Sequence, residues 1–381
     1  MNKYVKRYLI DAMSGMAQGL FASLLIGTIV KTFGQQLLRL GTNPVFEFLV
    51  NAGNFATDPH VVGAAMAVGI GYAMKVAPLV LFCLVAVGSA ANVSGGAGGP
   101  LAVLVISILA AECGSLVSKK TKIDIIVTPF VTILSGALLT VLCAGIIGKA
   151  AASFGNLIVW ATTLRPFVMG MIISVVVGVA LTLPISSAAI CAALGLTGLA
   201  GGAAVAGCCA QMVGFAVMSF KENRWSGLLS QGLGTSMLQM PNIIKNPRIW
   251  IPPVLASLIT GPVATCLFKM EMNGAAVSSG MGTCGFVGQI GVITGWFQPS
   301  AAAVLHGAVP VTPGFMDWAG LVLVCFILPG LLSWLFSAAL RKAGWIKEGA
   351  KAAAIALGDD LKHLLPVGYL SVSASHSAPS R

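Results

Sequence analysis

The chain has 381 residues, of which 57% are hydrophobic and only 9% carry a charged side chain. An ordinary soluble domain is about 45–50% apolar and about 25% charged, so this composition argues against a soluble fold. The 22 Lys and Arg residues against 11 Asp and Glu give a net charge of +11. Because the basic residues form short clusters between apolar runs, they indicate the cytoplasmic loops of a membrane protein, and nucleic-acid binding is rejected.

Apolar segments of spanning length predict nine transmembrane helices along the chain. A helix needs about 20 predominantly apolar residues to cross the hydrocarbon core of a bilayer. The predicted spans are residues 15–34, 61–75, 76–94, 98–118, 125–147, 167–187, 196–219, 250–269 and 318–340. Two further intervals, 35–60 and 148–164, are predicted to lie along the membrane interface. We therefore expect an all-α polytopic integral membrane protein with nine or ten spans.

Five clusters of basic residues constrain how these spans cross the membrane. If all the clusters lie in the cytoplasm, an even number of crossings must separate each pair. Four predicted spans separate the N-terminal cluster from the next one, and this even number agrees with the rule. Three predicted spans separate Lys122 from Lys221, and this odd number does not. Either 148–164 crosses after all, or the glycine-rich segment around 192–206 is re-entrant, and the sequence leaves both alternatives open.

Two segments between the later spans are neither good helices nor good loops. Residues 227–247 and 273–294 are too apolar for solvated loops and too rich in Gly, Ser, Thr, Asn and Gln for lipid-facing spans. Irregular backbone at membrane depth is tolerated only where it is buried in protein or lines a wet cavity. We therefore predict two re-entrant hairpins and expect the functional site beside them.

Three ionisable residues are candidates for function. A charged side chain at membrane depth costs at least about 2.5 kcal/mol on insertion scales, which singles out Glu112 and Glu271. The carboxylate of Glu271 can accept two hydrogen bonds from a polyhydroxylated substrate or carry a proton. Glu112 and His306 are candidate coupling or proton groups. A solvated helix end for Glu271 and a surface turn for His306 are open alternatives.

No catalytic residue, metal site or cofactor is predicted. The nine cysteines have no C-x-x-C spacing, and the four histidines are scattered along the chain. The Gly-x-Gly-x-x-Gly string at 280–285 lacks the strand–turn–helix context of a dinucleotide site, and no P-loop motif occurs. An ATP-driven pump within this chain is therefore excluded.

The two predicted hairpins carry a family resemblance. The strings "LLSQGLGTSMLQMPNIIKNPRIWIPP" and "FKMEMNGAAVSSGMGTCGFVGQIG" resemble the membrane IIC component of bacterial phosphotransferase systems (PTS). More narrowly, the sequence is similar to a stand-alone subfamily, some members of which are described as regulators of toxin expression. The resemblance covers most of residues 1–345. It implies a polytopic helical permease in the bacterial inner membrane, usually a homodimer, with two re-entrant hairpins around a sugar site.

The resemblance also implies site residues and partners. The substrate-binding residues it implies are Gln231, Gly234, Thr235, Ser236, Gln239 and Asn242 in the first hairpin, and Glu271, Asn273, Gly282, Thr283 and Gln289 in the second. In such systems a partner IIB protein phosphorylates the sugar, so phosphorylation here would need separate IIA and IIB proteins. The Gly-Ile-Thr-Glu motif of better-known sugar-specific members is absent from this sequence.

The leading hypothesis is a PTS permease component that translocates a sugar or polyol by alternating access. Two alternatives stay open, namely a membrane sensor that keeps the permease fold without transport, and an ion- or proton-coupled carrier of a non-sugar solute. We expect residues 1–345 to form the transmembrane domain in contact with lipid. Residues 346–381 are expected to form a cytoplasmic tail that is partly disordered.

Overall fold

A computed structural model describes residue 4 and residues 6–346 of the chain. Apart from Ile346, the predicted C-terminal tail lies outside the described residues. The described part is helical, and its β-structure consists of one isolated bridge between Gly198 and Met272. The all-α polytopic fold predicted from the sequence is therefore confirmed.

Fifteen helices are numbered in chain order. They are α1 (Lys6–Arg39), α2 (Pro44–Ala56), α3 (Pro59–Ala73), α4 (Pro78–Gly95), α5 (Gly99–Val117), α6 (Asp124–Thr162), α7 (Pro166–Thr182), α8 (Ser187–Ala193), α9 (Gly198–Met218), α10 (Phe220–Leu229), α11 (Met240–Lys245), α12 (Pro247–Leu267), α13 (Val287–Phe297), α14 (Ala301–Leu305) and α15 (Phe315–Lys342). Each of the nine predicted spans coincides with one of them. In the described residues, six continuous helical stretches are both long and apolar enough to cross a bilayer, and α4 and α5 count together as one of them, Pro78–Val117.

Local sequence signals explain where several helices begin. Helices α2, α3, α4 and α7 each start with a proline at the first helical position. Proline fits there because the first backbone N–H of a helix has no intrahelical partner in any case. Before α2 and α3, the side chains of Asn43 and Asp58 accept hydrogen bonds from Val45 and His60. These caps satisfy backbone donors that would otherwise be unpaired.

The two predicted interfacial segments have a different structure. Residues 35–39 continue α1, and α2 then packs back along it, with Gly34 beside Leu49 and Gly53 beside Lys31. Residues 148–162 belong to α6, a single helix of 39 residues. The prediction of a separate interfacial segment at 148–164 is therefore wrong, because these residues continue the apolar helix α6, and the segment 35–60 is divided between the end of α1 and α2.

Small residues bring the N-terminal helices into close contact. A Cβ atom at Gly15 of α1 would lie 2.1 Å from the carbonyl oxygen of Gly69 in α3, and one at Gly19 would lie 2.2 Å from that of Ala65. Only glycine permits this backbone approach. The G-x-x-x-G spacing at Gly15 and Gly19 therefore serves packing within the chain.

The helices α7 and α9 run in the same direction. Val177 of α7 contacts Cys208 of α9, and Thr182 of α7 contacts Gln211 of α9. Residue numbers therefore increase in the same direction along both helices. The connection 183–197, which contains α8, must therefore run back along the full length of the pair. This extra pass resolves the topology, because four passes then separate Lys122 from Lys221. The extra pass is the connection 183–197, whereas residues 148–162 continue α6 and add no separate crossing, and residues 198–206 begin α9.

The basic clusters gather at one end of the helices, which we call the basic face. Arg7 of α1 forms an ion pair with Glu112 of α5 at 2.8 Å. Arg341 of α15 pairs with Glu222 of α10 at 2.6 Å. Helix α11 packs against the first turn of α1, which joins the two regions. The positive-inside rule predicts that this face lies in the cytoplasm, and we call the opposite end the outer face.

Candidate functional site

The second hairpin, residues 269–297, enters from the outer face and turns in the middle of the protein. Its first arm pairs with the start of α9, where the Met272 N–H donates to the Gly198 carbonyl oxygen at 3.0 Å. At its tip, the Thr283 hydroxyl lies 3.6 Å from the Met212 sulfur, about two thirds of the way along α9. Helix α13 then returns beside the first arm. The segment is thus a re-entrant hairpin whose tip lies at mid-depth.

Left-handed backbone forms the tip of the second hairpin. Gly282, Gly285 and Phe286 have φ angles of 53°, 51° and 58°. At Gly282 a Cβ atom would also lie 2.7 Å from the Cβ of Cys208 in α9. Glycine is therefore required at 282 both for its backbone conformation and for the space it leaves.

The first hairpin, residues 219–246, enters from the basic face. Helix α10 continues through one wider turn to Gly234, Thr235 is extended, and Ser236–Gln239 forms a short turn before α11. The Thr235 hydroxyl accepts a hydrogen bond from the backbone N–H of Met237 at 3.1 Å. The segment is therefore a helix, a break and a second helix, with its neutral polar residues at and after the break.

The two hairpin tips meet. The hydroxyl of Thr283 in the second hairpin donates a hydrogen bond to the carbonyl oxygen of Gly232 in the first. Helix α1 contacts both hairpins, with Phe21 against Gly234 and Ile29 against Gly285. The tips, together with α1 and α9, form a closed junction in the centre of the protein.

The amide side chains of the first hairpin bond to one another. Gln239 donates to the Gln231 side-chain oxygen at 2.8 Å, and Asn242 donates to the Gln239 side-chain oxygen at 2.9 Å. Gln231 donates in turn to the Ser219 hydroxyl at 3.2 Å. All three amides are buried, and this chain of bonds satisfies groups that would be costly to leave unpaired.

Gln211 of α9 holds the first hairpin against the helices, and sequence reasoning missed it. Its side-chain oxygen accepts hydrogen bonds from the Trp250 indole at 3.0 Å and from the Thr182 hydroxyl at 3.3 Å. Its nitrogen donates to the Ser257 hydroxyl at 3.3 Å. Thr182 also bonds to Ser236 of the hairpin at 2.8 Å. The sequence feature that could have identified Gln211 is that it is a single amide side chain inside an otherwise apolar span.

A cavity of about 500 Å³ lies on the outer side of the tip junction. Of the predicted site residues, Glu271, Asn273 and His306 line it. Other lining residues come from the end of α6 and from the connection 194–198, which the sequence analysis did not assign to the site. The cavity therefore combines four separate parts of the chain.

The polar groups of this cavity are partly fixed and partly free to bind. Asn273 donates a hydrogen bond to a carboxylate oxygen of Glu271 at 2.8 Å, and its own oxygen accepts from the Gly198 N–H at 3.2 Å. Glu271 and His306 are exposed, whereas Asn273 is buried. Asn273 thus orients the carboxylate while leaving it accessible from the cavity.

The remaining predicted residues lie away from this cavity. The buried ones at or near the tip junction are Gln231, Gly234, Thr235, Ser236, Gln239, Asn242, Gly282, Thr283 and Gln289. Gln289 donates to the Cys209 sulfur at 3.2 Å, and its oxygen has no partner among the described residues. Glu112 is separate from both groups, because it pairs with Arg7 at the basic face. Among the described residues, no three His, Cys, Asp or Glu side chains converge as in a metal site.

The long apolar helices and the opposed re-entrant hairpins define the class, a polytopic α-helical membrane protein with irregular segments buried at mid-depth. The family model described as "Phosphotransferase system, EIIC" matches residues 10–352, so the chain belongs to that family. It is a membrane permease component of the PTS, and this membership implies a sugar substrate and IIB partner proteins. A comparison with curated proteins gives no match.

Proposed function

We propose that the protein binds a small sugar or polyol in the cavity beside Glu271 and releases it into the cytoplasm by alternating access. The observation that carries this proposal is the placement of the cavity relative to the hairpin tips. The cavity lies on the outer side of the junction between Thr283 and Gly232, while the hydrogen-bonded amides of the first hairpin lie on the side of the basic face. This arrangement corresponds to a site open outward and closed inward.

The groups in the cavity suit hydroxyl recognition. An ionised carboxylate offers only acceptors and can take two hydroxyl donors at once, which is the role we assign to Glu271. The His306 ring adds one donor or acceptor, and Thr162 and Thr197 also line the cavity. A few polar groups in a partly apolar cavity fix the orientation of a ligand and give it specificity.

Transport requires the hairpin tips to separate. The amides of Gln231, Gln239 and Asn242 bond to each other while the path is closed. When the tips part, sugar hydroxyls can replace these partners, so the exchange leaves few buried groups unpaired. We propose that the first-hairpin residues bind the substrate in this second, inward-open state. The substrate then favours that state through its differential affinity for it.

The chain supplies recognition and translocation, and phosphorylation is assigned to its partners. We propose that a IIB protein meets the basic face in the cytoplasm of a bacterial cell and phosphorylates the sugar there. We also propose a homodimer in the inner membrane. Both proposals rest on family membership.

The test is uptake of labelled sugars and polyols into vesicles that contain the purified protein. Uptake is measured with and without a cytoplasmic extract supplied with phosphoenolpyruvate. The proposal expects uptake that requires the extract and delivers sugar phosphate. No uptake under either condition would favour a sensor, and uptake driven by a pH or sodium gradient would favour an ion-coupled carrier. Either result would overturn the proposal.

A further inference from the structure

A second polar groove lies between α1 and the second hairpin. Its volume is about 360 Å³. The polar residues on its α1 side are Thr32, Gln35, Gln36 and Arg39. Their spacing of three, four and seven residues places them on one face of the helix. Ser278 and Thr294 of the second hairpin line the opposite side.

A smaller cavity extends this groove toward the end of α13. It has a volume of about 290 Å³ and is lined by Arg39, Thr294, Phe297 and Gln298. Arg39 and Thr294 line both cavities, so the two adjoin at these residues. Arg39 ends α1 far from the ion-paired Arg7 at its beginning, so the groove lies toward the outer face.

The groove offers donors that the described residues do not use. The side chains of Gln35, Gln36, Arg39 and Gln298 make no hydrogen bond or ion pair within residues 6–346. No Asp or Glu lines either of the two cavities. The cavity at Glu271 has the opposite character, because a carboxylate lines it and no Lys or Arg does.

We propose that this groove is a second binding site, and that it takes an oxyanion, a carboxylate or phosphate, on a hydroxylated molecule. The planar guanidinium of Arg39 can bind an oxyanion through two parallel hydrogen bonds. The amides of Gln35, Gln36 and Gln298 then bind neighbouring hydroxyl groups. Because the ligand bridges α1 and α13, it holds the second hairpin against α1.

The first experiment uses the full-length protein in phosphatidylcholine nanodiscs. Binding of gluconate, inorganic phosphate and the neutral polyol sorbitol is measured by calorimetry for wild type, Arg39→Gln and Arg165→Gln. Arg165 is the matched control, since it is an exposed arginine at the outer face that lines neither cavity. For a soluble oxyanion, Arg39→Gln weakens gluconate or phosphate binding about tenfold or more, while Arg165→Gln leaves it unchanged.

The second experiment tests an anionic lipid headgroup as the source of the oxyanion. Nanodiscs that contain phosphatidylglycerol are analysed by native mass spectrometry for retained lipid. If the headgroup is the ligand, wild type and Arg165→Gln retain phosphatidylglycerol, Arg39→Gln loses it, and the soluble oxyanions do not bind. Equal behaviour of the Arg39 and Arg165 variants in both experiments overturns the proposal.

A conservative variant keeps the test decisive if Arg39→Gln does not fold. Arg39→Lys keeps the positive charge but loses the two parallel hydrogen bonds. We expect it to weaken oxyanion or lipid binding relative to wild type, with Arg165→Lys unchanged. Thermal unfolding of each variant confirms that the compared proteins are folded. Wild-type affinity in Arg39→Lys, combined with a misfolded Arg39→Gln, also overturns the proposal.

Discussion

The two hairpins have similar compositions but use their polar residues differently. In the first hairpin, Gln231, Gln239 and Asn242 are buried and bond to each other. In the second, Glu271 and Asn273 line a cavity of about 500 Å³, and Glu271 stays exposed. A polar segment at membrane depth can thus close a path or form a binding site. In the segment that closes the path, the polar side chains form hydrogen bonds with one another. In the segment that forms the binding site, a polar side chain stays accessible from a cavity.

The largest effect is expected for Glu271→Gln. This substitution removes the negative charge that strengthens hydrogen bonds from substrate hydroxyls, which are worth about 1.5–3 kcal/mol for a charged acceptor. We therefore expect sugar uptake to fall about tenfold to a hundredfold. Uptake in vesicles measures the effect. Glu47→Gln, at an exposed site in α2, is the control and should transport as wild type does. Equal uptake by both variants would move the site away from Glu271.

Gly282→Ala tests the tip of the second hairpin. Its left-handed backbone costs a non-glycine residue about 1–2 kcal/mol, and the added methyl group would also press on Cys208. We expect lower thermal stability in detergent and reduced uptake. Gly145→Ala is the control, since a Cβ there meets no other atom within 4 Å. An unchanged melting temperature for Gly282→Ala would contradict the described tip.

Gln239→Leu tests the bonded amides of the first hairpin. The change removes the hydrogen bonds that Gln239 makes with the Gln231 oxygen and the Asn242 nitrogen, at a cost of about 1–3 kcal/mol. We expect lower stability and lower uptake, with sugar binding at the outer cavity retained. Calorimetry on the folded variant measures that binding. Asn54→Leu replaces an exposed amide and is the control. If Gln239→Leu loses sugar binding at the outer cavity and Asn54→Leu does not, the Gln239 amide belongs to the outward-open site.

The smallest effect is expected for Thr283→Val, which removes only the hydroxyl bonded to Gly232. A hydrogen bond of this kind contributes about 0.5–1.5 kcal/mol, so the tips should separate more often. The measurement is the rate at which a maleimide modifies Cys284, which is buried beside the junction. We expect up to about a tenfold faster reaction. Thr140→Val in α6 is the control. Equal modification rates in the two variants would show that the Thr283 hydroxyl does not hold the hairpin tips together.

The sequence was sufficient for the parts of the fold that depend on local pattern. Runs of apolar residues located the nine spans, and the mixed composition of 227–247 and 273–294 identified both hairpins. The connection 183–197 was missed as a separate element because its string "PISSAAICAALGLTG" is apolar enough to merge with the spans on either side. Its backward run becomes visible only from the contacts between α7 and α9.

The site was predicted less completely, for a physical reason. The cavity joins α6, the connection 194–198, and the residues around Glu271 and His306, which are far apart in the chain. Spacing along a sequence does not indicate such tertiary contacts. The carboxylate of Glu271 and the imidazole of His306 were detectable as ionisable residues in an apolar protein. The roles of Gln211 and Arg39 required knowledge of what surrounds them.

We propose that the cavity is reached from outside while the hairpin tips close the path inside. The most direct test is labelling of Thr197→Cys and Gln239→Cys with a membrane-impermeant maleimide, above the wild-type background. We predict that Thr197→Cys reacts in intact cells and is protected by the transported sugar, while Gln239→Cys does not react from outside. Reaction of Gln239→Cys from outside, or of Thr197→Cys only in inverted vesicles, would contradict the account.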